Sequence, residues 1–181
     1  MTIIVAEIEK RETGDFGGGR MVLTYGVISI TALILLGACI FIDRKKDNWL
    51  RLLFLSVFVA DLGYFLLASS KTLNSALMAN RLAYSGNVFL PFFMLMIILK
   101  LCGVKYSKWL PAILSVVGLV VLFIAASPGY LTVYYKSASF KIVDGTAVLV
   151  KEYGSLHLLY YIYLFLYFAA MLAAIVFSIK R

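Results

Sequence analysis

Apolar residues along this chain do not alternate with polar ones. They run on for about twenty positions at a time. Five such stretches stand out: Met21–Ile42, Trp49–Ala68, Leu77–Cys102, Trp109–Ala126 and Ser155–Ile179. Crossing ~30 Å of hydrocarbon as an α-helix takes about 20 apolar residues. Backbone polar groups in lipid must be satisfied within the spanning segment, which leaves helices or a closed barrel. Barrel strands are ~10-residue alternating segments, and these runs are too long and too uniform for that. The pattern predicts an all-α membrane protein, a bundle of five transmembrane helices.

Between the fourth and fifth stretches lies the one sizeable loop, residues 127–154. Ser127-Pro128-Gly129 breaks the helix. Leu131–Tyr135, Phe140–Val143 and Thr146–Lys151 are short runs rich in β-formers, with Asp144-Gly145 between the last two. Asp-Gly between apolar runs is a strong hairpin signal. The expectation is a short external β-hairpin that either lids a site or only covers helix ends. Residues 1–20 are a polar, then glycine-rich tail without the basic start and apolar core of a signal peptide. Two accounts stay open for it: a short external tail, or a translated ribosome-binding site ahead of a true start at Met21.

Composition agrees with the pattern. Of 181 residues 63% are hydrophobic and 14% charged, with a mean hydropathy of +0.97, against about half apolar in a soluble domain. The net charge of +8 would point to nucleic acid in a soluble protein. Here the basic residues sit in short loops beside apolar segments, so lipid is the expected partner and nucleic acid is not. Arg44, Lys45, Lys46, Arg51, Lys100, Lys105, Lys108, Lys180 and Arg181 fall on one side of the bundle, and Lys71 in the short loop on the other. The positive-inside rule then places the protein in the cell membrane with its N-terminus outside and C-terminus in the cytoplasm. Trp49 and Trp109 fall at the inner interface. Cys39 and Cys102 fall near the same side, where thiols stay reduced.

Polar residues at membrane depth are expensive and usually face the bundle interior. Asp61 and Asn87 lie about nine and ten residues from the outer ends of their helices, so ~14–15 Å deep and level with each other. Antiparallel neighbours would let them hydrogen-bond. Asn80, Tyr84, Asn87 and Pro91 share one helical face, with Arg81 beside it, and Pro91 frees a carbonyl near mid-membrane. His157 starts the last helix, followed by Tyr160, Tyr161, Tyr163 and Tyr167. One reading is an outward-opening polar pocket among helices two, three and five, under the hairpin, with Asp61, Arg81, Tyr84, Asn87 and His157 as ligand-binding residues. The other is interhelical hydrogen bonds, an interfacial aromatic belt and a snorkelling Arg81.

The chemistry of catalysis is not in evidence. One His allows no His-based metal cluster. No GxxxxGK[ST], GxSxG or HExxH occurs, and Asp61 is the only acid inside a predicted helix. No catalytic residue, cofactor or metal is expected, and the chain is not expected to be an enzyme.

The stretch ANRLAYSGNVFLPFFMLMIILKLCGVKYSKWLPA resembles the third and fourth helices of the seven-transmembrane N-terminal sensor region of bacterial histidine kinases. That family has an R-x-x-Y-x-G start to the third helix and then a Pro in an aromatic-rich run, here Arg81, Tyr84, Gly86 and Pro91. Tyr153-Gly154 ahead of the fifth helix, followed by His157, and DLGYFLLASS from Asp61 fit the same family. The resemblance covers about residues 49–181. It implies that residues 21–181 form a sensor-type domain in a two-component signal-transduction system. Such a domain receives an unknown extracellular ligand for a cytoplasmic signalling domain. Helices six and seven and that output domain are not among these residues, so the chain reads as the first five helices of seven. The alternative is a small transporter or a membrane-complex subunit. A homo-oligomer is compatible with either.

Overall fold

The computed structural model describes residues 18–42, 47–127, 134–143 and 145–180. Five helices and one hairpin follow in chain order. They are α1 (Gly18–Ile42), α2 (Asn48–Ala68), α3 (Leu73–Leu101), α4 (Leu110–Ala125), β1 (Tyr135–Val143), β2 (Thr146–Tyr153) and α5 (His157–Ile179). Four of the helices, α1, α2, α3 and α5, are long and apolar enough to cross a membrane. The fourth predicted span is a shorter apolar helix of 16 residues, about 24 Å at 1.5 Å per residue. The expected bundle of five thus stands as four helices of spanning length and a shorter companion, in a multi-pass membrane protein. The tail through Gly17, the basic residues Arg44, Lys45 and Lys46, the Pro128-Gly129 break, Leu131–Val133, Asp144 and Arg181 lie outside the described residues.

Two helices, α2 and α3, start where side chains satisfy orphan amides of the first turn. Asp47 caps α2, accepting from the Trp49 amide at 3.1 Å. Thr72 and Ser75 form a reciprocal capping box that starts α3 at Leu73, four residues before the expected Leu77. The same Asp47 accepts from Lys100 Nζ at 2.6 Å, so the start of α2 and the end of α3 share one end of the bundle. The Lys100 ammonium holds the Asp47 carboxyl below its usual range. As an exposed pair it adds about 0–1 kcal/mol.

The exterior is apolar. Phe41 is 90% exposed and Phe123 75%, as expected where the surrounding solvent is lipid. Lipid tails are as apolar as leucine, so helices associate through close packing of small residues instead. That is how α2 meets α3. Ser56, Ala60 and Gly63 are buried on α2, and Ala76, Ala79, Ala83 and Gly86 on α3. A Cβ added at Gly63 would stand 2.5 Å from Ala83 Cα, and one at Gly86 would stand 2.5 Å from the Ala60 amide nitrogen. The two backbones are in contact at both points. On its other sides α3 packs α4 and α5 through Val88, Phe92, Leu95, Met96 and Leu99 against Val121, Tyr163, Tyr167 and Ala174. Helix α3 is the hub. Pro91 offers no N–H to the Asn87 carbonyl, and beside it the Tyr163 hydroxyl donates to the Val88 carbonyl at 2.7 Å.

β1 and β2 pair antiparallel, with Val143 opposite Thr146. The loop is therefore two residues, and Gly145 takes a positive φ of 79°, the conformation such a turn requires. β1 is one strand through the polar Lys136–Ser139 segment, where the sequence had shown only a separate run from Phe140. On β2, Ala147 and Leu149 are buried and Lys151 half-buried, while Val148, Val150 and Glu152 are exposed. The period-two alternation turns one face of the hairpin onto the helix ends.

Candidate functional site

The hairpin places Lys151 where α3 presents Asn80 and Tyr84. Lys151 Nζ donates to Asn80 Oδ1 at 2.7 Å and stands 5.3 Å and 5.8 Å from the ring centres of Tyr135 and Tyr84. Both rings are within cation–π range. Burial pulls the Lys151 pKa down to about 8, because desolvation penalises the ammonium. No carboxylate pairs with it among the described residues. Asn80 is 1% exposed, and its side chain also interacts with the Tyr135 hydroxyl.

An aromatic cluster surrounds this contact. The Tyr84 and Tyr135 hydroxyls are 2.7 Å apart, and Tyr134 donates to Tyr84 at 3.4 Å. Tyr84 meets Tyr134 and Tyr160 edge-on. His157 stacks on Tyr153 with ring centres 3.8 Å apart and meets Tyr134 and Tyr161 edge-on. Both its ring nitrogens are buried without a hydrogen-bond partner among the described residues. Burial raises the Tyr134 and Tyr135 hydroxyls well above the usual phenol range, so both stay protonated donors. Tyr153 is raised for the same reason.

Beneath β2 lies a cavity of about 240 Å³. Tyr25 of α1, Tyr64 and Leu67 of α2, and Ala147, Leu149 and Lys151 of the hairpin line it. The Tyr25 and Tyr64 rings stack at 6.0 Å. Asn87 Nδ2 donates to the Tyr64 hydroxyl at 2.7 Å, which leaves the hydroxyl proton of Tyr64 available. A second, open groove of about 780 Å³ runs along the α2–α3 turn past Ser69, Lys71 and Ser75.

The five residues expected from the sequence divide. Tyr84 is at the centre of the cluster and His157 at its edge. Asn87 supports the cavity through Tyr64 and does not bond Asp61, which stands one turn before Tyr64 on α2; the longer phenol reaches across the interface instead. Arg81 Nη1 lies 3.7 Å from the Met78 sulfur. The expected pocket lay among helices two, three and five. The cavity lies between α1, α2 and β2, while α5 adds aromatic rings on the other side of α3. Lys151 was missed, as were the cavity tyrosines. The signal lay in the alternation of β2, which puts Lys151 in phase with Ala147 and Leu149, but only once the strand is known to dock on that face.

The arrangement offers one desolvated cation, several neutral hydroxyl donors and an apolar wall. Among the described residues no group of three or more His, Cys, Asp or Glu could hold a metal. A family model described as the N-terminal 7TM region of histidine kinase matches residues 27–181. No curated protein and no solved structure matches the chain.

Proposed function

This chain belongs to the family of the N-terminal 7TM region of histidine kinase, and from that premise we propose that it is the receiving part of a membrane sensor. It takes up a signal on the outer side of the cell membrane and passes it to a cytoplasmic signalling domain that these residues do not include. The observation that carries this reading is the Lys151–Asn80 hydrogen bond. It joins an external loop to the helix on which the rest of the bundle packs. A ligand moves such an equilibrium only by preferring one of two states. A ligand that binds Lys151 competes with Asn80 for it, and so biases whether the hairpin rests on α3.

The orientation is N-outside and C-inside, supported by Arg51, Lys100, Lys105, Lys108 and Lys180 gathering at the end opposite the hairpin. Helix α4 makes the fifth crossing in this reading. Leu110 follows the end of α3 by a short connection, and Ala125 packs on Tyr134 and Tyr135 at the hairpin, so α4 runs from one end of the bundle to the other.

Fusing Arg181 to the cytoplasmic part of a characterised histidine kinase tests the proposal. Reporter output should differ between the native fusion and the Asn80→Ala fusion at equal membrane abundance. Output indifferent to Asn80→Ala, Lys151→Met and Tyr84→Phe alike would sink it.

A further inference from the structure

We propose that the cavity beneath β2 binds a small amphiphilic anion, an apolar alkyl or aryl body bearing one carboxylate or phosphate oxygen group, with Lys151 as its counter-ion. The proposal rests on reading the hairpin end as the receiving end, and it names the chemistry received there.

Four observations converge on this occupant. Lys151 is a cation held out of water without a carboxylate among the described residues, and a buried charge is costly unless paired. Asn80, at 1% exposure, stands directly beside it as the acceptor for Nζ, with its amide within reach of the Tyr135 hydroxyl. Tyr64 accepts from Asn87 and so retains its own O–H for a ligand. Apart from Thr146 and Tyr25, the remaining wall is apolar, with Leu67, Ala147 and Leu149. A metal ion would be repelled by Lys151, and a neutral apolar molecule would leave the lysine unpaired. The volume of about 240 Å³ is just below the ~300–1,000 Å³ of drug-sized pockets, so the body is short. Binding needs no covalent step. The anion replaces Asn80 Oδ1 as the acceptor for Nζ, and Asn80 then turns its amide to the ligand or to Tyr135.

The test uses the full chain in phosphatidylcholine nanodiscs, with hexanoate and benzoate as probes and 1-hexanol as the neutral control, by titration calorimetry at pH 7. At least one carboxylate should bind at least about tenfold more tightly than hexanol, a margin of about 1.4 kcal/mol. Lys151→Met should abolish that preference and Lys151→Arg should keep most of it. Tyr64→Phe, which keeps the ring and its stacking on Tyr25, should weaken binding several-fold. Repeating the titration in phosphatidylglycerol nanodiscs separates the sources of the anion. Unchanged affinity assigns the site to a free carboxylate, and a Lys151-dependent loss of affinity assigns it to a lipid headgroup. Carboxylate binding that is unchanged in Lys151→Met, or no preference over hexanol in either lipid, overturns the proposal. Neither result touches the fusion experiment, which reads output and not binding.

Discussion

Lys151 Nζ, on the second strand of the hairpin, donates to Asn80 Oδ1 on α3 across 2.7 Å. Seventy-one residues apart in sequence, the two hold the hairpin against the hub of the bundle. Asn80→Ala leaves the Lys151 ammonium buried without its acceptor. Stranding a buried donor costs about 1–3 kcal/mol. Hydrogen exchange at the β2 amides from Ala147 to Lys151 should accelerate about fivefold or more. Exchange that matches the native protein would mean that the contact does not hold the hairpin.

The depressed pKa of Lys151 sets a pH window. Its folded value is about 8 against 10.5 for an unburied lysine. Between those values the undocked hairpin binds more protons than the docked one, so docking strengthens as pH rises through the window and is flat below it. The groups facing Lys151 are Tyr84, Tyr135 and His157, with Tyr25 and Tyr64 across the cavity; burial keeps Tyr135 protonated throughout. Spin-label distances between Ser139→Cys and Met78→Cys, in a background without Cys39 and Cys102, should narrow from pH 7 to 9.5. Lys151→Met should remove that change.

Backbone contact at Gly63 and Gly86 leaves no room for a side chain. Gly63→Val and Gly86→Val should each destabilise the bundle by roughly 1–3 kcal/mol or more, read as the unfolding midpoint in mixed micelles. Gly118→Ala meets only side chains, the Phe89 ring with its nearest carbon 3.0 Å away and the Tyr163 hydroxyl at 3.6 Å. It should cost less, because a side chain can shift where a backbone cannot.

Asn87 and Tyr64 share one hydrogen bond at depth. Asn87→Leu and Tyr64→Phe should show a coupling of about 0.6–2 kcal/mol in a double-mutant cycle. Asp61→Asn combined with Asn87→Leu should be additive. Coupling to Asp61 in place of Tyr64 would restore the pairing expected from helix depth alone.

The proposed orientation places Cys39 and Cys102 on the cytoplasmic side and the hairpin outside. In whole cells a membrane-impermeant maleimide should label Ser137→Cys and spare Cys39 and Cys102 until the membrane is opened. The reverse pattern would invert the topology.

The length of each apolar run sufficed to place the spans, because a bilayer imposes one solvent and one thickness on every segment. Only α4, four residues short of the usual span, fell outside that rule. The Asp-Gly pair located the hairpin, since a two-residue turn has a narrow chemistry; β1 was cut short because Lys136 and Ser139 are polar on a strand whose outer face is wet. Tyr84 and His157 were legible because polar and aromatic groups near a helix end stand out against an apolar background.

Depth along a helix says nothing of rotation about its axis. Asp61 and Asn87 are level in sequence, yet the amide reaches Tyr64, because the Gly63–Ala83 and Gly86–Ala60 contacts set how α2 is turned against α3. Lys151 was invisible as a site residue, since a lysine in a loop reads as solvated until the strand phase and the docking of the hairpin bury it. The sequence by itself determined solvent, spans and family, which follow from hydropathy and local motifs. The tertiary structure alone decided which polar groups meet, because those meetings depend on packing between segments 23 to 71 residues apart.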